Sequence, residues 1–454
     1  MSIPASSVPI ISPRSAADTG AAIFAPEHGV PFPFTPPPAL DFGPFETTPL
    51  AHGAVVGGQV SCTGAFARAI AECAERGGGT VRVPAGVWLT GPIHFRDGVR
   101  LHLETGATVR FSRNFSDYLP PVYSQRGGAW LFNYSPQLYA RDVKRIAITG
   151  EGVLDGQGDA WWDWKLRQPG MNELFSMMAR GVPIEERVFG SEAAGVRPPM
   201  LQFLDCRDIL IEGVTFRNGP SWMLHPVRCD NVTIRGVTIY GEGHNNDGID
   251  PDCCRNVLIE DCRIDAGDDC IVLKAGRDQD GWTYGRPTEN VVVRRVTSRQ
   301  GHGGFVIGSE ISAGVRNVLV EDCDFANTER GIFIKSAPGR GGFIENIHVR
   351  RITMNRIHTG AVLIRLDYGN PARGEAGWAF ASTTTEPTRV ENIVVEDIRC
   401  GCFGAGRAVD ISGDPRLPPR GIVLRNVSLR AKTGMTIADV EDLRMENVTV
   451  RPIC

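Results

Sequence analysis

From about residue 200 onward, apolar and polar positions follow one short pattern. Two apolar residues two apart are followed, after a gap of three, by two more, at offsets 0, 2, 5 and 7. The pattern reads Ile209, Ile211, Val214, Phe216; then Val232, Ile234, Val237, Ile239; then Val257, Ile259, Cys262, Ile264. Later copies include Val318, Val320, Cys323, Phe325 and Ile347, Val349, Ile352, Met354. Ile393, Val395, Ile398, Cys400 and Ile422, Leu424, Val427, Leu429 follow. Copies begin at 209, 232, 257, 291, 318, 347, 393, 422 and 443, at intervals of 21 to 46 residues. Period-two alternation means strands. Strands that recur with no helix between copies cannot form a βαβ sheet, and a near-constant repeat offers no close antiparallel partners. The pattern predicts a solenoid in which each coil lies on the one below: an all-β, right-handed parallel β-helix.

Other segments break the pattern. Residues 31–40, PFPFTPPPAL, are proline-rich, so residues 1–60 read as an irregular N-terminal arm and 61–454 as the β-helix domain. Ala65 to Glu75 reads as a short amphipathic helix, stopped by Gly77, Gly78 and Gly79,. It is expected to cap the first coil, whose open edge would invite aggregation. A helical insertion is expected around Met171 to Glu186. Insertions at Arg277 to Arg286 and around Asn370 to Thr385 lengthen two coils, and long solenoid loops often wall a cleft.

Composition narrows the partners. With 48 Lys and Arg against 52 Asp and Glu, there is no basic excess to suggest nucleic acid or an anionic membrane. No stretch approaches the ~18 apolar residues of a membrane-spanning helix. No secretory signal is visible, so a cytoplasmic location is expected, or a periplasmic or secreted one if the N-terminus has been trimmed. The 12 cysteines include Cys262, Cys270 and Cys323 in apolar-periodic positions, which read as buried, reduced thiols. No Cys/His spacing suits zinc, and neither a metal nor an organic cofactor is expected.

A second strand follows the pattern in each coil, and the reactive residues gather there. Asp247 and Asp269 are 22 residues apart, one coil, and stacked coils lie ~4.8 Å apart. Asp268 is adjacent in sequence, and His302 comes one coil later. Crowded carboxylates raise at least one pKa, leaving a protonated acid beside ionised partners. That is what glycoside hydrolysis needs: an acid for the leaving oxygen and a base for water. A calcium site, or ladders of turn-forming Asn and Asp, would leave the same residues.

These residues lie in motifs that resemble glycoside hydrolase family 28, the polygalacturonase family. The family's Asn-Thr-Asp-Gly-Ile-Asp is matched by Asn245-Asn246-Asp247-Gly248-Ile249-Asp250, its Gly-Asp-Asp-Cys-Ile by Gly267 to Ile271, and its Gly-His-Gly by Gly301-His302-Gly303. Arg-Ile-Lys is matched only in part, by Phe333-Ile334-Lys335. Ser221 to Pro226 and Asn133 to Pro136 resemble the bacterial exo-acting branch. The resemblance implies inverting hydrolysis of a terminal sugar from a pectin-derived oligosaccharide or related glycoside. Asp268 would be the general acid, Asp247 and Asp269 would orient and deprotonate water, and His302 would support the acid. Asn245, Asp250, His225, Trp222, Tyr368, Lys335 and Phe333 are the expected substrate contacts.

Phenylalanine in place of the family's arginine cannot pair a carboxylate. Lying two residues from Lys335 on a strand, Phe333 is expected to face the site and offer an apolar surface to a sugar methyl, as in a rhamnoside. Arg330, Arg340 or Arg365 are candidates to replace the lost charge. The rivals are an α-L-rhamnosidase or rhamnogalacturonan-type hydrolase, a calcium-dependent polysaccharide lyase, and a non-catalytic carbohydrate-binding β-helix.

Overall fold

The computed structural model describes residues 29–452 except 168, 370–381, 383 and 403–405. The insertion expected around Asn370 to Thr385 therefore lies largely outside the described residues. The repeat forms a parallel β-helix. Strands Arg207–Glu212, Asp230–Arg235, Arg255–Glu260, Thr288–Arg294 and Val315–Glu321 stack in parallel register. Ile209, Val232, Val257, Val291, Val318, Ile347, Ile393 and Ile422 form one column, each 2% exposed or less. Burying each such side chain contributes roughly 1.5–3 kcal/mol.

Backbone conformation at two corners explains the offsets. Four residues after each copy begins, the chain turns through the left-handed region: Gly213, Gly236, Asp261, Arg295, Asp322, Arg351, Asp397 and Asn426 all have φ between 51° and 79°. This residue inserts the odd step that turns a spacing of two into three. The residue before each copy is also left-handed, at Asp208, Asn231, Asn256, Asn290, Asn317, Asn346 and Asn392. Short polar side chains tolerate this conformation because they hydrogen-bond locally. Here they bond up the stack instead: Asn317 donates to Asn290 at 3.0 Å and Asn346 donates to Asn317 at 3.2 Å. Where arginine occupies the first corner, an acid one coil earlier holds it, as with Arg295 on Asp261 at 2.7 Å.

The second strands form their own parallel stack, including Leu201–Leu204, Leu224–Val227, Asp269–Leu273, Thr328–Lys335 and Gly360–Arg365. Their inward residues Ile271, Phe305, Ile332 and Val362 join the core. The expected cap is present as the helix Thr63–Glu75, which buries Ala65, Phe66, Ala69, Ile70 and Cys73 on the first coil. The sheet begins earlier than the expected boundary at residue 60, because Glu46–Thr47 already pairs with Thr80–Val81. Upstream, Val30 and Phe32 lie against Leu258, Val292 and Leu319 on the outside of the stack. Cys206, Cys229 and Cys254 are free, fully buried thiols. No helix among the described residues is long and apolar enough to cross a membrane.

Three elements stand outside the repeat and meet at one place. The expected insertion forms the helix Pro169–Ala179 and a short turn at Ile184–Glu186. The lengthened coil after Gly276 forms the helix Asp278–Tyr284. An antiparallel hairpin, Val122–Arg126 with Ala129–Asn133, has no counterpart in the repeat. Asp280 ties them, accepting from the Trp130 backbone at 2.8 Å and from Arg187 at 2.6 Å.

Replacing Asn317 by alanine removes two ladder bonds and places a Cβ-bearing, non-bonding residue at positive φ. The variant should lose about 2–3 kcal/mol of stability, read as a lower urea midpoint at unchanged slope.

Candidate active site

Stacking brings the predicted carboxylates together. Ile249 bridges to Leu224 on one coil and Ile271 on the next, so Trp222, Asp247 and Asp269 occupy equivalent positions on three successive coils. Asp268 and His302 complete the group; the His302 backbone donates to the Asp268 carbonyl at 2.8 Å. Asp247, Asp268 and Asp269 each offer an oxygen within 4.8 Å of the others. Backbone approach this close requires glycine: a Cβ on Gly303 would stand 2.9 Å from an Asp269 oxygen, and one on Gly248 2.4 Å from the Cys270 carbonyl.

Each carboxylate has a different environment. Asp268 accepts from His302 Nδ1 at 3.1 Å and from Asn245 Nδ2 at 3.1 Å. Asn245 is held by the buried Arg197, which donates to its Oδ1 at 2.8 Å. Asp269 accepts from Lys335 Nζ at 2.8 Å. Burial pushes Asp247 up to about 8, helped by the Asp268 charge and opposed by Lys274. Burial also works to raise Asp268, but the hydrogen bond and charge of His302, with Lys335 and Lys274 behind them, outweigh it and hold Asp268 well below the usual carboxylate range. The same hydrogen bond, against burial, lifts His302 to about 9. At neutral pH the cluster therefore keeps a proton on Asp247 and another on His302. Asp268 reaches the open space, with 19% of its side chain exposed, whereas Asp247 and Asp269 show 3% each.

The group forms the floor of a cavity of about 720 Å³. Seven Lys and Arg residues line it (Arg126, Lys165, Arg167, Lys274, Arg277, Lys335 and Arg340), against the three aspartates and Glu310. The insertion helix supplies one wall through Met171, Asn172 and Phe175. Arg277 rests 4.0 Å from the Phe175 ring centre and donates its backbone N–H to the Gly128 carbonyl. Insertion, hairpin and lengthened coil thus all contribute walls to the cavity.

A family model described as "Glycosyl hydrolases family 28" matches residues 190–450. The chain belongs to this family. It is a glycoside hydrolase, acting on O-glycosyl bonds. It is 32% identical over 407 residues to a probable polygalacturonase of Vitis vinifera, covering 86% of this chain and 76% of the relative. It is 27% identical to an exo-poly-alpha-D-galacturonosidase of Dickeya chrysanthemi, covering 88% of this chain and 69% of the relative. The crystal structure of a hyperthermoactive exopolygalacturonase from Thermotoga maritima superposes with a TM-score of 0.86 at 37% identity, covering 91% of this chain and 94% of that one.

Of the expected substrate contacts, Asn245, Trp222, Lys335 and Tyr368 line the cavity. Three do not. Phe333 points away from the core as expected, but it is 1% exposed. It lies in an outer apolar row of Val272, Val306 and Leu363, with Tyr368 against it at 6.0 Å between ring centres. It cannot receive a sugar methyl, and the rhamnoside reading loses its support. Alternation gives a side chain's face of the sheet but not what later covers it. His225 is fully buried beneath Trp222, its Nδ1 accepting from Gln202 at 2.9 Å. Asp250 is fully buried too, with Lys274 Nζ at 4.0 Å.

Of the arginines considered as replacements, Arg340 lines the cavity but is bonded to Asp278 at 2.7 Å. Arg330 pairs with Glu329, and Arg365 with Asp367. Asn246, where the family has threonine, clips the loop by donating to the Gly219 and Ser221 carbonyls and accepting from Gly243 N–H. Trp130 and Trp161 are buried among aromatic rings, and Trp162 donates to the Gly219 carbonyl. Lys274, Glu310, Arg197 and Arg126 were not singled out by the motifs. Lys274 had a signal, lying outward two positions after Val272; Arg126, on the aperiodic hairpin, had none.

Two measurements follow. In Asp268→Asn, His302 loses the carboxylate that raises it, so its NMR titration should fall from about 9 toward the ordinary ~6.5. Phe333→Arg, which restores the family residue, would bury a cation between Arg330 at 5.1 Å and Lys335 at 5.3 Å from the present ring. It should cost about 3–5 kcal/mol in chemical denaturation and bring no gain in turnover.

Proposed function

We propose that this family 28 enzyme is an exo-acting, inverting galacturonidase that releases terminal galacturonate from pectin-derived oligosaccharides. The observation that carries the reading is the cavity itself: three carboxylates on the floor, seven cations in the lining, and walls added by elements outside the repeat. Walls added to a groove favour a chain terminus over a threading polymer. A wall with more cations than acids favours an anionic sugar. The Dickeya and Thermotoga relatives, named for exo-acting cleavage of polygalacturonate, support the same choice.

Exposure assigns the roles. Asp268 is the carboxyl that reaches the cavity, so it donates the proton to the departing glycosidic oxygen. Asp247 and Asp269 are too recessed to attack an anomeric carbon, but a water held on them can do so. That arrangement is a single displacement. It operates at a shorter carboxylate spacing than the ~6.5–9.5 Å usual for inversion, and the anomer first released decides the point. Chemistry needs one proton on the cluster, passed from Asp247 to Asp268 as substrate displaces bulk water. The attacking water returns a proton to the base, and the next turnover starts from the same state. His302 holds Asp268 in place through its hydrogen bond.

On digalacturonate the enzyme should release monomer with inverted configuration, seen by proton NMR in the first minutes. Asp268→Asn should lower kcat at least ~10³-fold at intact fold, since a missing acid and a disrupted cluster act together. Activity should fall above about pH 8, where Asp247 gives up the cluster's proton. Retained activity in Asp268→Asn, or a rate still rising at pH 9, would contradict the assignment.

A further inference from the structure

The cavity contains a buried cation that no described residue neutralises by contact. Arg126 ends the first hairpin strand, is 6% exposed and lines the cavity. Four of the other six cations lining the cavity are paired with acids: Lys274 with Glu310, Lys335 with Asp269, and Arg277 and Arg340 with Asp278. Among the described residues, the Arg126 guanidinium makes no hydrogen bond or ion pair. It rests over the Trp222 ring, 4.6 Å from its centre, and Lys274 Nζ lies 4.4 Å from the same ring. Asp247, Asp250, Glu310 and Asp268 act on it only through space. The ionised Asp268 and Glu310 make the buried charge tolerable but fill none of its five donors,.

Position matters as much as charge. Trp222 is one coil from Asp247 in the same register, so a sugar lying against the carboxylates lies beside Arg126. The hairpin that carries Arg126 also contributes a wall of the cavity that holds the carboxylates. A guanidinium held over an indole keeps its planar fork free of protein partners, and that fork matches a carboxylate with two parallel hydrogen bonds,. We propose that Arg126 is the specificity-determining receptor for the carboxylate of the terminal sugar, in place of the arginine that the strand at Phe333 lacks. This rests on the galacturonidase reading above.

The test uses the full chain with Arg126→Ala, Arg126→Lys and Arg126→Met. Steady-state kinetics on digalacturonate and product inhibition by galacturonate are measured beside thermal melting. Arg126→Ala should raise KM and the galacturonate inhibition constant at least 30-fold, with a smaller change in kcat. Arg126→Lys should recover part of both. Arg126→Met should melt at or above the wild-type temperature, because an unpaired buried charge has been replaced by an apolar side chain of similar length. An unchanged KM and inhibition constant in Arg126→Ala would overturn the assignment. So would a lower melting temperature in Arg126→Met with KM unchanged and kcat reduced, the result a structural arginine gives. A wild-type enzyme that neither cleaves digalacturonate nor binds galacturonate would overturn the parent reading, and this one with it, and is distinct from both.

Discussion

Coils stacked at the spacing of β-strands place equivalent side chains ~4.8 Å apart, and the active site depends on that constraint. Asp247 and Asp269 are neighbours because Ile249 and Ile271 are paired, and Asp268 follows from the chain. Three acids whose oxygens lie within 4.8 Å cannot all ionise without compensation. The structure resolves the conflict by unequal surroundings. Asp269 has an ammonium, Asp268 has an imidazolium and an amide, and Asp247 has burial and keeps a proton. The same crowding that would destabilise an unadorned sheet thereby holds a proton ready beside a carboxylate pair.

Sequence periodicity carried the scaffold well because a solenoid repeats its constraints in every coil. The offsets of 0, 2, 5 and 7 record a left-handed residue at the corner, and the polar row of Asn231, Asn256, Asn290 and Asn317 records a second one. The second row follows from the short polar side chains that such corners favour; the first corner takes glycine, acids, asparagine and arginine. Asp247, Asp268, Asp269 and His302 were legible for the same reason: their spacing in sequence is a spacing in coils. The turn ladders weighed as an alternative explanation are also present, at different residues.

Aperiodic features were not legible. The hairpin with Arg126 meets Asp280 and Gly128 meets Arg277 across about 150 residues, and no local pattern announces such a contact. Phe333 shows the complementary failure. Its strand parity was read correctly, but Tyr368 and the flanking coils cover it. Outward on a solenoid means outside the core, which is not the same as solvent. His225 and Asp250 were misplaced on the same ground, since both lie on the outer face beneath Trp222 and Lys274.

These two kinds of information divide the enzyme's work. The repeat fixes the distances among proton donor, base and histidine, so the chemistry is tied to residues that also hold the core in register. The hairpin, the insertion helix and the lengthened coil decide what reaches those residues, and their side chains bear little of the solenoid's packing. Buried titratable groups concentrate where the two meet: Arg126 and Lys274 lie over the Trp222 ring, and Asp250 and Glu310 lie beside Lys274. A long apolar core can sustain such a seam, because each added coil contributes burial independent of the site. Within this architecture, the substrate's charge can be matched by residues outside the repeat without disturbing the carboxylate spacing, which is why the loss of an arginine at position 333 need not mean the loss of an acidic substrate.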